Sequence, residues 1–285
     1  MFRRRRSHVV RRGGHIVSEY YGKDYTADKY VEWGSITKLV TAQAVVALAD
    51  GGELDLDAPV RDRLGLLPTS VTARGLLTHT SGVPRVHAGM PAGVLSDPYA
   101  GITADVLREH LGRIGETDLI GPGQMTYSNL GYAVLGLLLE QATDGSWFDA
   151  VRDLVLLPWG LSRVIPLPEV ADRAHILGFD RKPHRPWSLA EGPYAAAGAL
   201  WSPLTDLADY GQKVLDEGGY VRPERGWQHV GDRWWHNGAT RDSGSCLVLV
   251  PSLDLVVATH ALAAFPGAAD RLADKLTSEQ EEAAA

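Results

Sequence analysis

Ser35-Ile36-Thr37-Lys38 sets a hydroxyl and an amine one helical turn apart. Residues at i and i+3 share a helix face, so a helix starting near Ser35 brings Lys38 beside that hydroxyl. Trp33-Gly34 gives a flexible entry, an apolar run from Leu39 to Leu48 follows, and Gly51-Gly52 supplies the stop. The pattern predicts a core helix. Backbone N–H groups point outward at its first turn, where an anion is welcome. The chain holds six lysines against twenty-two arginines, so a lysine here is less casual than in most proteins. Taken alone, the tetrapeptide reads as an N-cap serine and a surface lysine.

Two further stretches keep it company. Tyr127-Ser128-Asn129 follows the turn signal Gly121-Pro122-Gly123 and precedes a helical pattern from Leu130 to Gln141. A tyrosine and an asparagine two apart at a helix start can face one cavity. His236-Asn237-Gly238 follows Trp234-Trp235 and precedes the apolar run Cys246–Val250; a strand glycine lets another backbone approach closely. Each also has a plain structural reading: Tyr127 as a core aromatic, Asn129 as an N-cap, Gly238 as a turn residue.

The chemistry these groups suggest is nucleophilic. A serine hydroxyl needs a neighbouring base. A free lysine, with a pKa of about 10.4, is neutral in roughly one molecule in a few thousand at pH 7. Bringing it near 7 takes over three units, about 4–5 kcal/mol, which burial and a nearby cation can supply. Tyr127 serves as base only if a cation favours its phenolate, and Lys38 is such a cation. The two therefore titrate as a coupled pair.

The order Ser-x-x-Lys, Tyr-x-Asn, His-x-Gly resembles the penicillin-recognising serine hydrolase superfamily, in its branch of class C β-lactamases, DD-peptidases and family VIII esterases. Leu76-Leu77-Thr78-His79-Thr80-Ser81-Gly82-Val83 is similar to that family's loop below the site. Pro122-Gly123 through Tyr132, with Leu135-Gly136 and Glu140, resembles its second motif and following helix. Ala196–Pro203 with Asp206-Leu207 resembles the segment returning to the sheet. The likeness runs from about Gly14 to His260.

The resemblance implies an α+β fold, an α/β sandwich in which an antiparallel sheet is flanked by helices and carries an inserted all-helical lobe. The expected sheet domain is 1–68 with 192–285, the helical lobe 69–191, and the site lies in the crevice between them. Ser35 attacks an acyl carbon, Lys38 and Tyr127 take its proton, and Tyr127 protonates the leaving group. The backbone N–H groups of Ser35 and Ala239 form the oxyanion hole. Asn129, His236, Gly238 and Ala239 bind substrate, with Asn129 holding its amide or Lys38. His236 stands where many relatives carry lysine. His-Asn-Gly-Ala departs from the His-Thr-Gly-Gly common among esterase and peptidase relatives. A neutral histidine grips a carboxylate less than lysine does, and Asn237 lacks a hydroxyl, so both changes lean away from β-lactams. No glutamate stands where class A enzymes place theirs, so deacylation falls to the Lys38–Tyr127 pair.

The expected activity is therefore hydrolysis of a small ester, amide or lactone through a Ser35 acyl-enzyme. Alternatives are acyl transfer to an alcohol or amine, DD-peptidase or β-lactamase action proper, and a catalytically silent ligand-binding scaffold. No Gly-x-Ser-x-Gly elbow, His-Glu-x-x-His, Cys-x-x-Cys, Gly-x-Gly-x-x-Gly or P-loop occurs, so neither metal nor cofactor is expected. Arg241-Asp242-Ser243-Gly244-Ser245 faintly resembles a trypsin-like serine segment without its preceding glycine, and Ser243 reads as a turn residue. His79 and His87 read as loop-structuring. Trp33, Trp234 and Trp235 flank the motifs and read as core or rim packing.

Composition sets the frame: 285 residues, 45% hydrophobic, 22% charged, an ordinary globular chain with room for a large core. A net charge of −7 argues against a nucleic-acid partner, leaving a small-molecule acyl substrate, with oligomeric state open. The single cysteine, Cys246, excludes an internal disulfide. Arg3–Arg6, Arg11 and Arg12 form a basic start that reads, through Val9-Val10, Gly13-Gly14 and His15-Ile16-Val17, as the first hairpin of a sheet. No apolar segment of seven or more follows the double arginines, which predicts no signal peptide, no membrane span and a cytoplasmic protein. Strands are expected at 246–250 and 255–259, a closing helix from Ala268, and a frayed end at 279–285.

Overall fold

The computed structural model describes residues 5–90, 97–177, 182–262 and 267–284; Arg3, Arg4 and Ala285 lie outside them. The strands are β1 (Arg6–Arg12), β2 (His15–Tyr21), β3 (Tyr30–Glu32), β4 (Trp201–Pro203), β5 (Gln228–Val230), β6 (Arg233–Ala239), β7 (Ser243–Val250) and β8 (Leu255–Leu262). The helices are α1 (Thr37–Asp50), α2 (Arg61–Leu64), α3 (Ala73–Leu77), α4 (Ala104–Leu111), α5 (Asn129–Thr143), α6 (Trp147–Val151), α7 (Ala195–Gly198), α8 (Leu204–Glu217) and α9 (Ala268–Glu282).

Six strands form one antiparallel sheet in the order β2-β1-β8-β7-β6-β5. The arginine-rich start is its first hairpin, as the alternation and Gly13-Gly14 require; Arg11 pairs with Asp209 of α8 and anchors it. The central strands are apolar on both sides because both faces are covered. Successive residues project to opposite faces. Val9, Leu247, Leu249, Val256 and Ala258 join the large core shared with α8, whereas Val10, Cys246, Val248 and Val257 meet α9. Gly211 lets α8 lie close, since a Cβ there would stand 2.7 Å from Val256. This α+β sandwich agrees with the expected architecture. The closing helix starts at Ala268 and stays helical through Glu282, beyond the fraying expected from Glu279, with Lys275 pairing Glu279 at i,i+4. Ser243 opens β7 rather than lying in the turn before it.

α1 and α5 are buried nearly all round and pack on each other and on α7. Such helices carry no amphipathic stripe; their sequences are apolar on every face because protein surrounds them. A two-stranded ribbon, β3–β4, delivers the chain into α1. Among the described residues, no helix is long and apolar enough to cross a membrane.

Candidate active site

Ser35 occupies a single 3-10 turn (Gly34–Ile36) between β3 and α1, and Lys38 is the second residue of α1. The turn is fastened on several sides. Trp33 N–H donates to Leu200 O at 2.9 Å, its indole donates to Ser202 Oγ at 2.9 Å, and Ser245 Oγ donates to its carbonyl at 2.7 Å. Trp33 is thus a fully buried core residue.

Lys38 is 1% exposed. Its ammonium donates to Ala197 O at 2.6 Å and to Ser35 Oγ at 3.3 Å, and lies 5.0 Å from the Tyr127 ring centre and 5.4 Å from that of Tyr132. The Tyr127 hydroxyl is 2.7 Å from Ser35 Oγ. Burial holds Lys38 below the ordinary lysine range, against the opposing pull of Tyr127. Burial pushes the Tyr127 phenol up, but the Lys38 ammonium, hydrogen bonds and Arg85 outweigh it and leave the phenol below its ordinary value. Both groups are thus easier to deprotonate than when free, which suits a pair that must take the serine's proton.

The loop beneath the site explains the two histidines. His79 has φ +60° and its Nδ1 accepts the Ser128 N–H at 3.2 Å, while its ring centre lies 4.6 Å from that of Tyr127. Burial drives His79 down to about 3, so it is a neutral prop for Tyr127. His87 Nδ1 meets the Tyr194 hydroxyl at 3.1 Å. Ser128, not Asn129, caps α5, its Oγ accepting from Gly131 N–H at 2.8 Å. Asn129 donates to the Tyr99 hydroxyl at 3.2 Å, and its Oδ1 is buried without a partner. It does not hold Lys38.

β6 supplies the opposite wall. Thr240 N–H donates to Ser243 O at 2.9 Å, so the hydrogen-bonded pairs run Thr240/Ser243, then Gly238/Ser245. Antiparallel alternation therefore turns the Ala239 N–H away from β7, toward Gly34 and Ser35. A Cβ on Gly34 would stand 3.0 Å from Ala239 N. A Cβ on Gly238 would stand 2.0 Å from Trp33 O and 2.6 Å from Ser245 Oγ. Glycine at 238 is the condition for the strand to lie against the turn, a closer constraint than a turn residue. His236 is buried, its Nδ1 2.8 Å from Asn237 O, and burial followed by Lys38 pushes it down to about 4. It is neutral at pH 7. Asn237 donates to Asp270 of α9 at 2.7 Å.

Two cavities meet here. One, of about 450 Å³, is lined by Ser35, Arg85, Tyr99, Asn129, Trp187 and Ala239 among others. The second, about 310 Å³, is walled by His79, Met125, Tyr220, Trp227, His229 and Trp234. Tyr127, Gln228 and His236 border both. Trp234 is therefore a cavity wall, and Trp235 faces the α9 side beside Cys246. Sequence reasoning passed over Arg85, Tyr99, Trp187 and Gln228. Arg85, Tyr99 and Trp187 sit on irregular loops and Gln228 at the start of a three-residue edge strand, where no periodicity marks a residue as facing a cavity. Among the described residues, no cluster of three or more His, Cys, Asp or Glu could hold a metal ion.

The Beta-lactamase family model matches residues 7–280. Penicillin-binding protein 4 of Amycolatopsis lactamdurans is 32% identical over 217 residues, covering 69% of this chain and 54% of that protein. Esterase EstB of Burkholderia gladioli is 35% identical over 170 residues, covering 54% of this chain and 42% of that protein. The chain thus spans about half the length of these curated relatives. A crystal structure of a class C beta lactamase from Rhodobacter sphaeroides superposes with a TM-score of 0.75 at 20% identity, covering 94% of this chain and 92% of that one. With three motifs converging on one crevice and the family model matched almost end to end, this chain belongs to the β-lactamase family, within the superfamily of serine β-lactamases and penicillin-binding proteins.

Proposed function

We propose that this chain is a serine hydrolase that forms an acyl-enzyme on Ser35 from a small ester, amide or lactone. The observation that carries this reading is the Ser35 hydroxyl held 2.7 Å from the Tyr127 oxygen and 3.3 Å from the Lys38 nitrogen. Relatives named as a penicillin-binding protein and as an esterase are consistent with it.

Ser35 Oγ bonds to the acyl carbon while its proton passes into the Lys38–Tyr127 pair. The carbonyl oxygen, now an anion, accepts from Ser35 and Ala239 N–H, a contact whose loss typically costs about 3–4 kcal/mol. The bond to the leaving group breaks as Tyr127 returns the proton to it. Water then enters by the same path in reverse, its proton passing to the pair and then back to Ser35. His236 is held well below the ordinary histidine range, which makes it a weak base beside the Lys38–Tyr127 pair, and it borders both cavities.

Intact-mass spectrometry after incubation with a fluorophosphonate, p-nitrophenyl esters of varied chain length and a penicillin tests this. An adduct present in the parent protein and missing in Ser35→Ala is the expected result. The acyl donor that turns over then names the substrate class. No adduct from any reagent would remove Ser35 as nucleophile.

A further inference from the structure

Arg85 is the one charged side chain bordering the cavity that holds Ser35; no carboxylate lines it among the described residues. Its guanidinium is exposed and lies 5.0 Å from the Tyr127 ring centre, and no described carboxylate pairs with it. An unpaired arginine is ordinary on an open surface. The backbone that carries this one is fixed in place. Its carbonyl accepts from the N–H groups of Asn129 at 2.9 Å and Leu130 at 3.1 Å, and the neighbouring Pro84 carbonyl accepts from Ser128 Oγ at 2.7 Å. The backbone bearing the cation is therefore bonded to the start of α5, the same segment that presents Tyr127 and Asn129.

The opposite wall offers no competing charge. His236 is neutral, and Lys38 is buried with its ammonium committed to Ala197 and Ser35. A cavity with a single cation at its border and no acid carries a positive potential that favours an anionic guest. The cavity's place also says which part of a substrate meets Arg85. It contains Ser35 and Ala239, so it receives the acyl half. The second cavity reaches Tyr127 and His236 but not Ser35, and suits the leaving group that Tyr127 protonates.

Building on the acyl-enzyme reading above, we propose that Arg85 selects acyl donors whose acyl half bears a free carboxylate, such as monoesters of short dicarboxylic acids. In the reaction the Ser35 Oγ–acyl bond forms and the bond to the alcohol breaks. The serine's proton leaves with the alcohol, and the carboxylate stays paired with the guanidinium throughout. Arginine suits this task because its planar fork meets both carboxylate oxygens.

The test compares mono-p-nitrophenyl succinate, glutarate and adipate with neutral p-nitrophenyl esters of equal acyl length, in the parent protein, Arg85→Gln and Arg85→Lys. The readout is the ratio of kcat/KM for the anionic ester to that for its neutral counterpart. The parent ratio should exceed about tenfold for at least one chain length, the scale of a hydrogen bond to a charged group. Arg85→Gln should bring the ratio to about one, mainly through KM, while Arg85→Lys keeps part of it. Added salt should shrink the parent ratio. A ratio unchanged by Arg85→Gln overturns the proposal. So does an equal loss on both esters, which would place Arg85 in service of Tyr127 alone. If no ester turns over, esters drop out of the acyl-enzyme reading independently of Arg85. Calorimetry of glutarate with the Ser35→Ala protein then decides on binding: saturable binding abolished in the double variant with Arg85→Gln upholds the anion site, and no binding ends it.

Discussion

At the scale of single residues, the site is defined by two groups whose charges burial and proximity bring together. Lys38 loses water and is held below the ordinary lysine range; Tyr127 gains a cation and falls below the ordinary phenol range. A base must be deprotonated to act, so kcat/KM should rise with pH along one acid limb that belongs to the pair. The two neighbouring histidines, His79 at about 3 and His236 at about 4, titrate too low to shape a limb near neutrality. Replacing His236 by Gln should therefore leave the limb in place. Tyr127→Phe and Lys38→Met should each lower kcat/KM by about 10²–10⁴-fold, the usual worth of a positioned acid or base. A pH–rate series across the three variants checks this; a limb that vanishes with His236 would move the proton chemistry to the imidazole.

At the scale of elements, the catalytic geometry depends on how closely β6 lies against the Ser35 turn. Gly238 faces Trp33 O where a methyl would sit 2.0 Å away, and Ser245 Oγ bonds that same carbonyl. Gly238→Ala must push the strand off the turn and carry the Ala239 N–H with it. We expect a kcat loss of about 10²–10³-fold with the fold retained, as when one oxyanion donor is removed. Normal circular dichroism with full activity would show that Ala239 is not a donor. The same contact marks how far the sequence could be read. The i, i+3 spacing of Ser35 and Lys38 and the helix starts were legible because helix geometry is local. That Gly238 serves a close approach was legible only as a class of possibility, since its partner lies two hundred residues away. Arg85 and Tyr99 gave no signal at all: their loops have no period, and what places them is the backbone bonding of Arg85 to α5 and the bond from Asn129 to the Tyr99 hydroxyl. Asn129 illustrates the middle case: its helix start was legible, while the N-cap role that was its plain structural reading falls to its neighbour Ser128.

At the scale of the whole molecule, the small ribbon and the large sheet are joined through one carboxylate. Glu32, on β3 three residues before Ser35, accepts from Thr240 Oγ1 at 2.6 Å and Ser243 Oγ at 2.9 Å, the residues closing the β6–β7 turn. Asp242 faces it unfavourably and Arg173 favourably, yet loss of water dominates and raises it from 4.5 to about 7. Between those two values the folded chain binds more protons here than the unfolded chain does. Stability from this group is therefore lost as pH rises through about 7. Lys38 has the opposite sign: its lowered pKa means the unfolded chain holds the extra proton, a penalty that fades toward pH 10.5. Comparing the parent with Glu32→Gln cancels the Lys38 contribution and isolates the carboxylate. Glutamine keeps the volume and an acceptor oxygen for both hydroxyls but never ionises. The two proteins should melt together near about pH 4, where the carboxyl is protonated folded and unfolded alike, whereas the variant should melt higher by about 5 °C near pH 8.5. Melting curves that stay parallel across that range would mean Glu32 is solvated well enough to ionise freely, and that the two sheets are held by the Thr240 and Ser243 hydroxyls whatever its charge.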